Sequence, residues 1–174
     1  MTDIIGNIED AKGLCIKYLL VPFESYAVKL PNGDCQAYPD PATKNDPVKQ
    51  GKPWTIGYGS TFDERGIPVQ PGDIWTHDRA IQVKEITLDK FMRSLISLSP
   101  ELVYESPYKI AAVLSWIYNC GVRNYTISTF RRRVNEAEWE DAASECLKWN
   151  KANGRVLRGL TRRRKAEADF LLRD

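Results

Sequence analysis

The sequence of this chain is most informative at Pro53-Trp54-Thr55-Ile56-Gly57-Tyr58-Gly59-Ser60, a run of β-forming residues in which two glycines flank one tyrosine. Glycines inside a strand pattern mark a sharp bend of the backbone, or a place that another group approaches closely. A substrate is one group that could approach in this way. We therefore expect a short strand over residues 54–58 that ends in a tight turn.

The length and composition of the chain indicate one compact globular unit. A domain of 174 residues buries roughly 70% of the surface that its unfolded chain exposes, so it needs no metal or disulfide to hold a core. Hydrophobic residues make up 43% and charged residues 28% of the sequence, which is ordinary for a soluble domain. We expect no cofactor, and with a single histidine in the chain we expect no zinc site.

The four cysteines do not have the spacing of metal ligands. Buried thiols in a reducing cytosol are the favoured interpretation, and a disulfide between Cys15 and Cys35 after release to an oxidising compartment stays open. The four are Cys15, Cys35, Cys120 and Cys146.

Membrane insertion and secretion are both disfavoured by the sequence. The longest uncharged stretch, residues 110–122, has thirteen residues, whereas a membrane-spanning helix needs about 20. The amino-terminal region carries Asp3, Glu9 and Asp10 before its first lysine, so it lacks the positive start of a secretory signal. We expect a core helix at residues 110–122, no stable membrane insertion, and release from the cytoplasm by another agent.

Apolar periodicity predicts helices on both sides of a region of short strands. Pro22 should disturb the end of a helix over residues 8–23, and Asn32-Gly33 predicts a hairpin between residues 26–30 and 35–38. Thr76 can cap a long helix that runs from about His77 to Ser97. Further helices are expected over residues 107–121, after Ser128, and over residues 136–149 and 160–172. The fold class is therefore α+β.

Six basic residues and no acidic one lie between Arg155 and Lys165. Such a run is most often a solvated helix face, but it also suits an anionic polymer such as the bacterial wall, or DNA. No helix-turn-helix, zinc or RNA-binding signature accompanies the run, so we expect no nucleic-acid partner.

Three motifs in chain order carry a resemblance to a known family. Phe23-Glu24, then Ala37-Tyr38-Pro39-Asp40, then residues 54–59 resemble the phage-type lysozymes, the muramidases of glycoside hydrolase family 24. Residues 115–121, 128–131 and 159–167 resemble further blocks of the family. The resemblance implies a single lysozyme-like catalytic domain over residues 1–174. Within it, a small β lobe (about 25–62) and a helical lobe (about 76–174 plus the N-terminal helix) are joined by a long helix.

The resemblance also implies roles for particular residues. Glu24 corresponds to the general acid, Asp40 to the base or charge stabiliser, and Thr55 to the residue that holds the attacking water. Independently of the family, Glu24 lies where a helix ends, and the negative pole of the helix dipole favours the protonated form of a carboxyl group there. Tyr118, Asn119 and Ser128 are the candidates for binding sugar, because sugar sites combine aromatic faces with amides and hydroxyls.

Several positions depart from the family pattern. Ser25 replaces a glycine after the glutamate, Pro22 precedes it, and Ser60 replaces the histidine that follows Gly-Tyr-Gly. The spacing from Glu24 to the aspartate is longer than in the family because of the Asn32-Gly33 hairpin. Asp34 and Asp46 therefore stay competitors of Asp40 for the second carboxylate.

The implied function is an inverting peptidoglycan muramidase that cleaves the β-1,4 bond between N-acetylmuramic acid and N-acetylglucosamine. It would be a phage or prophage endolysin, a monomer that reaches the cell wall or periplasm at lysis, with a holin involved only indirectly. The alternatives are a non-catalytic wall-binding or tail protein with the same fold and, less favoured, a nucleic-acid-binding protein.

Overall fold

The computed structural model describes residues 3–24, 26–40 and 43–174. The chain divides into two compact units. One unit, here called the helical unit, comprises Met1–Phe23 and Leu88–Asp174, and the other, here called the β unit, comprises Glu24–Thr87. The single-domain assignment made from the sequence stays a prediction.

Seven α-helices lie in the described parts of the chain, and the second of them contains residues of both units. Their bounds are α1 Ile4–Leu14, α2 His77–Leu98, α3 Pro107–Cys120, α4 Val122–Ile127, α5 Thr129–Asn135, α6 Trp139–Leu147 and α7 Arg158–Leu171. The cap predicted for α2 is confirmed, because the Thr76 hydroxyl accepts a hydrogen bond from the Arg79 N–H at 3.1 Å.

The first helix differs from the prediction at both of its ends. It begins at Ile4, where the Asp3 carboxylate accepts from the Gly6 N–H, and it continues beyond α1 as a π-helical segment over Cys15–Leu20. The Val21 N–H accordingly bonds the Ile16 carbonyl, five residues back. Pro22 follows at once and has no N–H with which to continue an α-helical ladder. The helical pattern therefore ends at Leu20, and a short turn leads from it to Glu24.

Helix α3 forms the centre of the helical unit. Every residue from Lys109 to Ile117 is buried, as expected for a helix that is apolar on nearly all sides. The Trp116 ring lies 5.0 Å from the Phe130 ring and 4.8 Å from the Trp149 ring, centroid to centroid. This aromatic cluster joins α3 to the chain around α5 and to the end of α6.

Two short helical segments of the helical unit were not predicted. A 3-10 helix covers Pro100–Tyr104, and α4 follows α3 after Gly121, whose φ is +89°. Both are too short to show a clear apolar period in the sequence. The buried Tyr125 ring anchors α4, and its hydroxyl lies 2.8 Å from the Ser99 hydroxyl.

The β unit contains two small antiparallel sheets of two-residue strands. Strand β1 (Cys35–Gln36) pairs with β4 (Ile74–Trp75), and β2 (Tyr38–Pro39) pairs with β3 (Trp54–Thr55). The hairpin predicted at Asn32-Gly33 has its turn, but an isolated bridge between Lys29 and Cys35 replaces a full strand pair. Cys35 and Trp75 are both buried where the strands pair. Strand β1 therefore pairs with β4, which lies forty residues further along the chain.

A third strand pair lies in the helical unit just before α7. Strand β5 (Lys151–Ala152) pairs with β6 (Arg155–Val156), and the sequence did not predict it. None of the helices in the described parts of the chain is both long and apolar enough to cross a membrane.

Candidate active site

The Gly57-Tyr58-Gly59 turn is held tightly inside the β unit. Gly57 and Gly59 have φ angles of +58° and +82°, a region that L-residues with side chains adopt at a cost. A Cβ atom at Gly57 would lie 2.9 Å from the Ala80 side chain of α2. The buried Lys84 ammonium of α2 donates to the Tyr58 carbonyl. The glycines predicted to mark a bend and a close approach therefore do both.

The close approach at Gly59 is made by the carboxylate of Glu24. A Cβ atom built at Gly59 would meet Glu24 Oε2 at 3.5 Å, and among the described residues beyond its chain neighbours no other heavy atom comes within 4 Å of it. Glu24, the last described residue before residue 26, thus directs its carboxylate at the turn that the sequence singled out.

Asp40 and Thr55 belong to the β2–β3 pair. Tyr38 is the Cα partner of Thr55, so the two side chains share a face of this sheet. Asp40 follows β2 directly, and its N–H donates to the Gly51 carbonyl at 2.9 Å. Its carbonyl accepts from the N–H groups of Thr43 and Lys44, each at 2.9 Å. These bonds fix the backbone from which the Asp40 carboxylate projects.

Tyr38 connects the three predicted catalytic residues. Burial raises the pKa of the Tyr38 phenol, and the negative charges of Glu24 and Asp40 raise it further. The phenol therefore lies within the electrostatic reach of both carboxylates and on the face that carries Thr55. Sequence reasoning quoted Tyr38 as part of a motif but assigned it no role, although an aromatic hydroxyl two residues before a candidate base could have been singled out.

The competing aspartates are engaged in turns. The Asp34 carboxylate accepts from the Asn32 side-chain amide at 2.8 Å. Asp46 accepts from the N–H groups of Lys49 and Val48 at 2.9 and 2.8 Å, and these bonds lower the pKa of its carboxyl group. Neither acts on Tyr38 in the way that Asp40 does. The geometry thus favours Asp40 among the three, and the assignment stays a prediction.

The chain's single histidine lies beside the turn. His77 Nε2 is 2.9 Å from the Tyr58 hydroxyl, and the Tyr26 ring packs edge-on against His77 at 5.3 Å. The Tyr26 hydroxyl donates to the Gly33 carbonyl at 3.0 Å. The family pattern has a histidine at the position of Ser60. In this chain a histidine contacts the same turn from a different position, the first residue of α2.

The predicted sugar-binding residues belong to the helical unit. The Tyr118 ring packs edge-on against Phe91 at 5.5 Å, and Asn119 is exposed, with its side-chain oxygen accepting from Arg164 at 3.0 Å. The Ser128 hydroxyl caps α5 by accepting from the Arg131 N–H at 3.0 Å. Each residue thus has a structural contact, and the binding role of each stays a prediction.

The basic residues of α7 include both buried and exposed arginines, and the buried ones belong to an ionic network. Glu167 is fully buried and accepts from the Ser115 hydroxyl at 2.6 Å, from Arg164 at 3.0 Å and from Arg163 at 3.3 Å. Burial raises the pKa of Glu167, and the two guanidinium groups act in the opposite direction. Arg163 and Arg164 are therefore structural, whereas Arg162 is exposed to solvent.

None of the four cysteines forms a disulfide. Within the described residues, no group of three or more His, Cys, Asp or Glu side chains is arranged to hold a metal ion.

Comparison with known proteins places the chain in a family. A family model described as phage lysozyme matches residues 34–167. The endolysin of Bacillus phage B103 is 31% identical over 125 residues, which are 72% of this chain and 45% of that protein. The chain thus spans about half the length of that relative. The SAR-endolysin of bacteriophage PS119 is 27% identical over 119 residues, 68% of this chain and 67% of that protein.

The fold comparison agrees with the family model. The solved endolysin from Escherichia coli O157:H7 phage FAHEc1 is 26% identical, with a TM-score of 0.69 over 95% of this chain and 90% of that one. The α+β, lysozyme-like fold expected from the sequence is thereby confirmed. Because the matched segment covers well over half of the sequence, the chain belongs to the phage lysozyme family.

Proposed function

We propose that this protein is a peptidoglycan N-acetylmuramidase that cleaves the β-1,4 bond between N-acetylmuramic acid and N-acetylglucosamine. One observation carries the proposal. Glu24 lies against the Gly59 turn, and its charge and that of Asp40 both act on Tyr38, the strand partner of Thr55. The carboxylates of Glu24 and Asp40 and the hydroxyl of Thr55 thus all belong to the surroundings of the Tyr38 side chain. A pair of carboxylates with a nearby hydroxyl suits glycoside hydrolysis.

In this proposal, Glu24 protonates the leaving oxygen while Asp40 and Thr55 hold the attacking water. A water that approaches from the face opposite the leaving group inverts the anomeric carbon, and inverting enzymes keep their carboxyl groups roughly 6.5 to 9.5 Å apart to leave room for it. Thr55 supplies a second hydrogen-bonding group for that water. Since the pKa of Tyr38 is raised, its phenol keeps its proton at neutral pH and stays a donor.

Substrate binding is assigned to residues of the helical unit. Tyr118 offers an aromatic face, and Asn119 offers an exposed amide that Arg164 already orients. Ser128 would bind sugar through the hydroxyl lone pair that capping leaves available.

The biological role follows from the names of the relatives, which are endolysins of phages. We infer an endolysin that acts on peptidoglycan as a monomer and needs no cofactor. It would reach the wall or periplasm from the host cytoplasm at lysis, and a holin would contribute only to its release.

A cell-wall zymogram with matched carboxylate variants tests the proposal. Glu24→Gln should lower wall hydrolysis by at least about 100-fold, because an amide of the same size has no proton to give to the leaving group. Asp40→Asn should give a comparable loss. Asp34→Asn and Asp46→Asn are the controls, and they should retain most of the activity because their carboxylates serve turns. Thermal unfolding of each variant checks that the fold is intact.

Three outcomes would count against the proposal. Wild-type protein that sediments with wall fragments but clears no substrate would indicate a non-catalytic wall-binding protein. Loss of activity in Asp34→Asn but not in Asp40→Asn would move the second carboxylate. NMR of the fresh product would show the retained anomer if the mechanism were not inverting.

A further inference from the structure

The hairpin before α7 and the first turns of α7 form a surface that the proposed hydrolysis does not use. We define this basic hairpin surface by four cations, Lys151, Arg155, Arg158 and Arg162, and two aliphatic residues, Val156 and Leu157. We propose that it binds the anionic surface of a phospholipid bilayer peripherally, so that the protein can be held at a membrane before it reaches the wall.

The hairpin is built to project its side chains. The turn between β5 and β6 consists of Asn153 and Gly154, with φ angles of +50° and +75°, which is the two-residue geometry that matches the twist of paired strands. All residues from 151 to 159 are exposed. Lys151 pairs with Val156, and Ala152 pairs with Arg155, so each face of this ribbon carries one cation.

The cations of this surface differ in their ion pairing from the buried arginines of α7. Among the described residues, no carboxylate forms an ion pair with any of the four, whereas Arg163 and Arg164 are paired with Glu167. Arg158 and Arg162 are four residues apart on α7 and therefore share a face. Both residues belong to the first two turns of α7, directly after the hairpin. The positive charge is thus concentrated around the hairpin.

The aliphatic residues decide between possible partners. Val156 is 59% exposed and Leu157 is 44% exposed, and both lie between Arg155 and Arg158 in the sequence. A wall polymer or a nucleic acid would satisfy the cations through phosphate groups but would leave two branched apolar side chains in water. A bilayer interface satisfies both, because its headgroups attract Lys and Arg while its acyl boundary takes up aliphatic side chains.

Vesicle co-sedimentation with the full-length protein tests this inference independently of wall hydrolysis. The protein should bind vesicles of phosphatidylglycerol mixed with phosphatidylcholine more tightly than vesicles of pure phosphatidylcholine, and high salt should weaken this binding. Each cation at an anionic bilayer strengthens binding about fivefold. Arg155→Glu combined with Arg158→Glu should therefore weaken it by at least about 25-fold. Val156→Ser combined with Leu157→Ser should weaken it by about tenfold, through lost apolar burial.

A loop of the β unit supplies matched controls. Lys44→Glu combined with Lys49→Glu changes the net charge by the same amount, and Val48→Ser removes a valine that is 88% exposed. Both controls should bind anionic vesicles within about threefold of wild type, because long-range charge is screened at moderate salt. Unchanged thermal unfolding of every variant excludes misfolding, and Val156→Ser alone serves if the double serine variant is unstable.

Specific results would overturn the inference. Equal binding to both kinds of vesicle, or wild-type binding by the double glutamate variant, would remove the surface as a lipid site. If the glutamate pair loses binding but the serine pair binds as wild type does, the surface recognises charge alone. Lipid-free wall fragments then provide the deciding substrate: a parallel loss of binding there would assign the surface to an anionic wall polymer.

Discussion

The helical unit and the β unit are stabilised in different ways. In the helical unit, α3 is buried along most of its length and an aromatic cluster packs around Trp116. In the β unit, no strand among the described residues is longer than two residues, and turns with positive φ angles and single side-chain contacts such as Lys84 to Tyr58 determine the backbone path. The proposed catalytic carboxylates thus belong to the unit whose backbone path depends on turns and single side-chain contacts.

The largest expected effect comes from the ionic network of the helical unit. Glu167→Gln should lower the free energy of unfolding by about 3 to 5 kcal/mol, because it removes the buried carboxylate that pairs with both Arg163 and Arg164. Urea denaturation followed by circular dichroism measures the change. The same experiment with Asp169→Asn is the control, since Asp169 is exposed on α7 and its pair with Lys165, at 3.8 Å, is worth at most about 0.5 kcal/mol. Similar losses in both variants would contradict a structural role for the buried network.

An intermediate effect should come from the turn of the β unit. Gly57→Ala introduces a Cβ atom at a φ of +58° and 2.9 Å from Ala80, so strain and overlap should together cost about 2 to 3 kcal/mol. Gly66→Ala has a similar positive φ of +79°, but no atom of the described residues lies within 4 Å of the added Cβ, and it should cost only about 1 kcal/mol. The difference between the two, measured by thermal unfolding, isolates the packing of the turn on α2. If both variants lost the same free energy of unfolding, overlap with Ala80 would not contribute to the cost of Gly57→Ala.

The smallest effect on stability, but a clear effect on activity, is expected at Thr55. Thr55→Val keeps the shape and β-propensity of the side chain but removes the hydroxyl proposed to hold the water, so wall hydrolysis should fall about tenfold or more while the free energy of unfolding changes by less than about 0.5 kcal/mol. Thr61→Val, in the same unit, should change neither quantity. A turbidity assay and thermal unfolding measure the pair. Full activity in Thr55→Val would indicate that Asp40 holds the attacking water without help from Thr55.

The two units also differed in how well they could be predicted from the sequence. The helices of the helical unit follow from local signals, such as the Ser106-Pro107 start of α3 and its apolar face. The partner of β1 did not follow, because pairing with Ile74–Trp75 depends on burial between residues far apart in the chain. Strands this short carry almost no periodic signal.

The burial of individual side chains in α2 was the second feature that could not be predicted from the sequence. Glu85 is exposed and its neighbour Lys84 is buried, because the Tyr58 carbonyl offers the ammonium an acceptor. A sequence pattern assigns a lysine to solvent unless its buried partner is known. For the same reason, the sequence does not distinguish Arg163 and Arg164, which bind the buried Glu167, from the exposed Arg162.

The burial of Lys84 has a chemical consequence. Amine-reactive reagents modify lysines that water can reach, and Lys84 is 1% exposed, so its ammonium can react only after the Gly57-Tyr58-Gly59 turn has moved away from α2. Lys109 of the helical unit is similarly shielded at 8% exposure, with its ammonium held by Glu105 and Asp174. The rates at which these two amines become labelled therefore report, within one molecule, how often each unit opens.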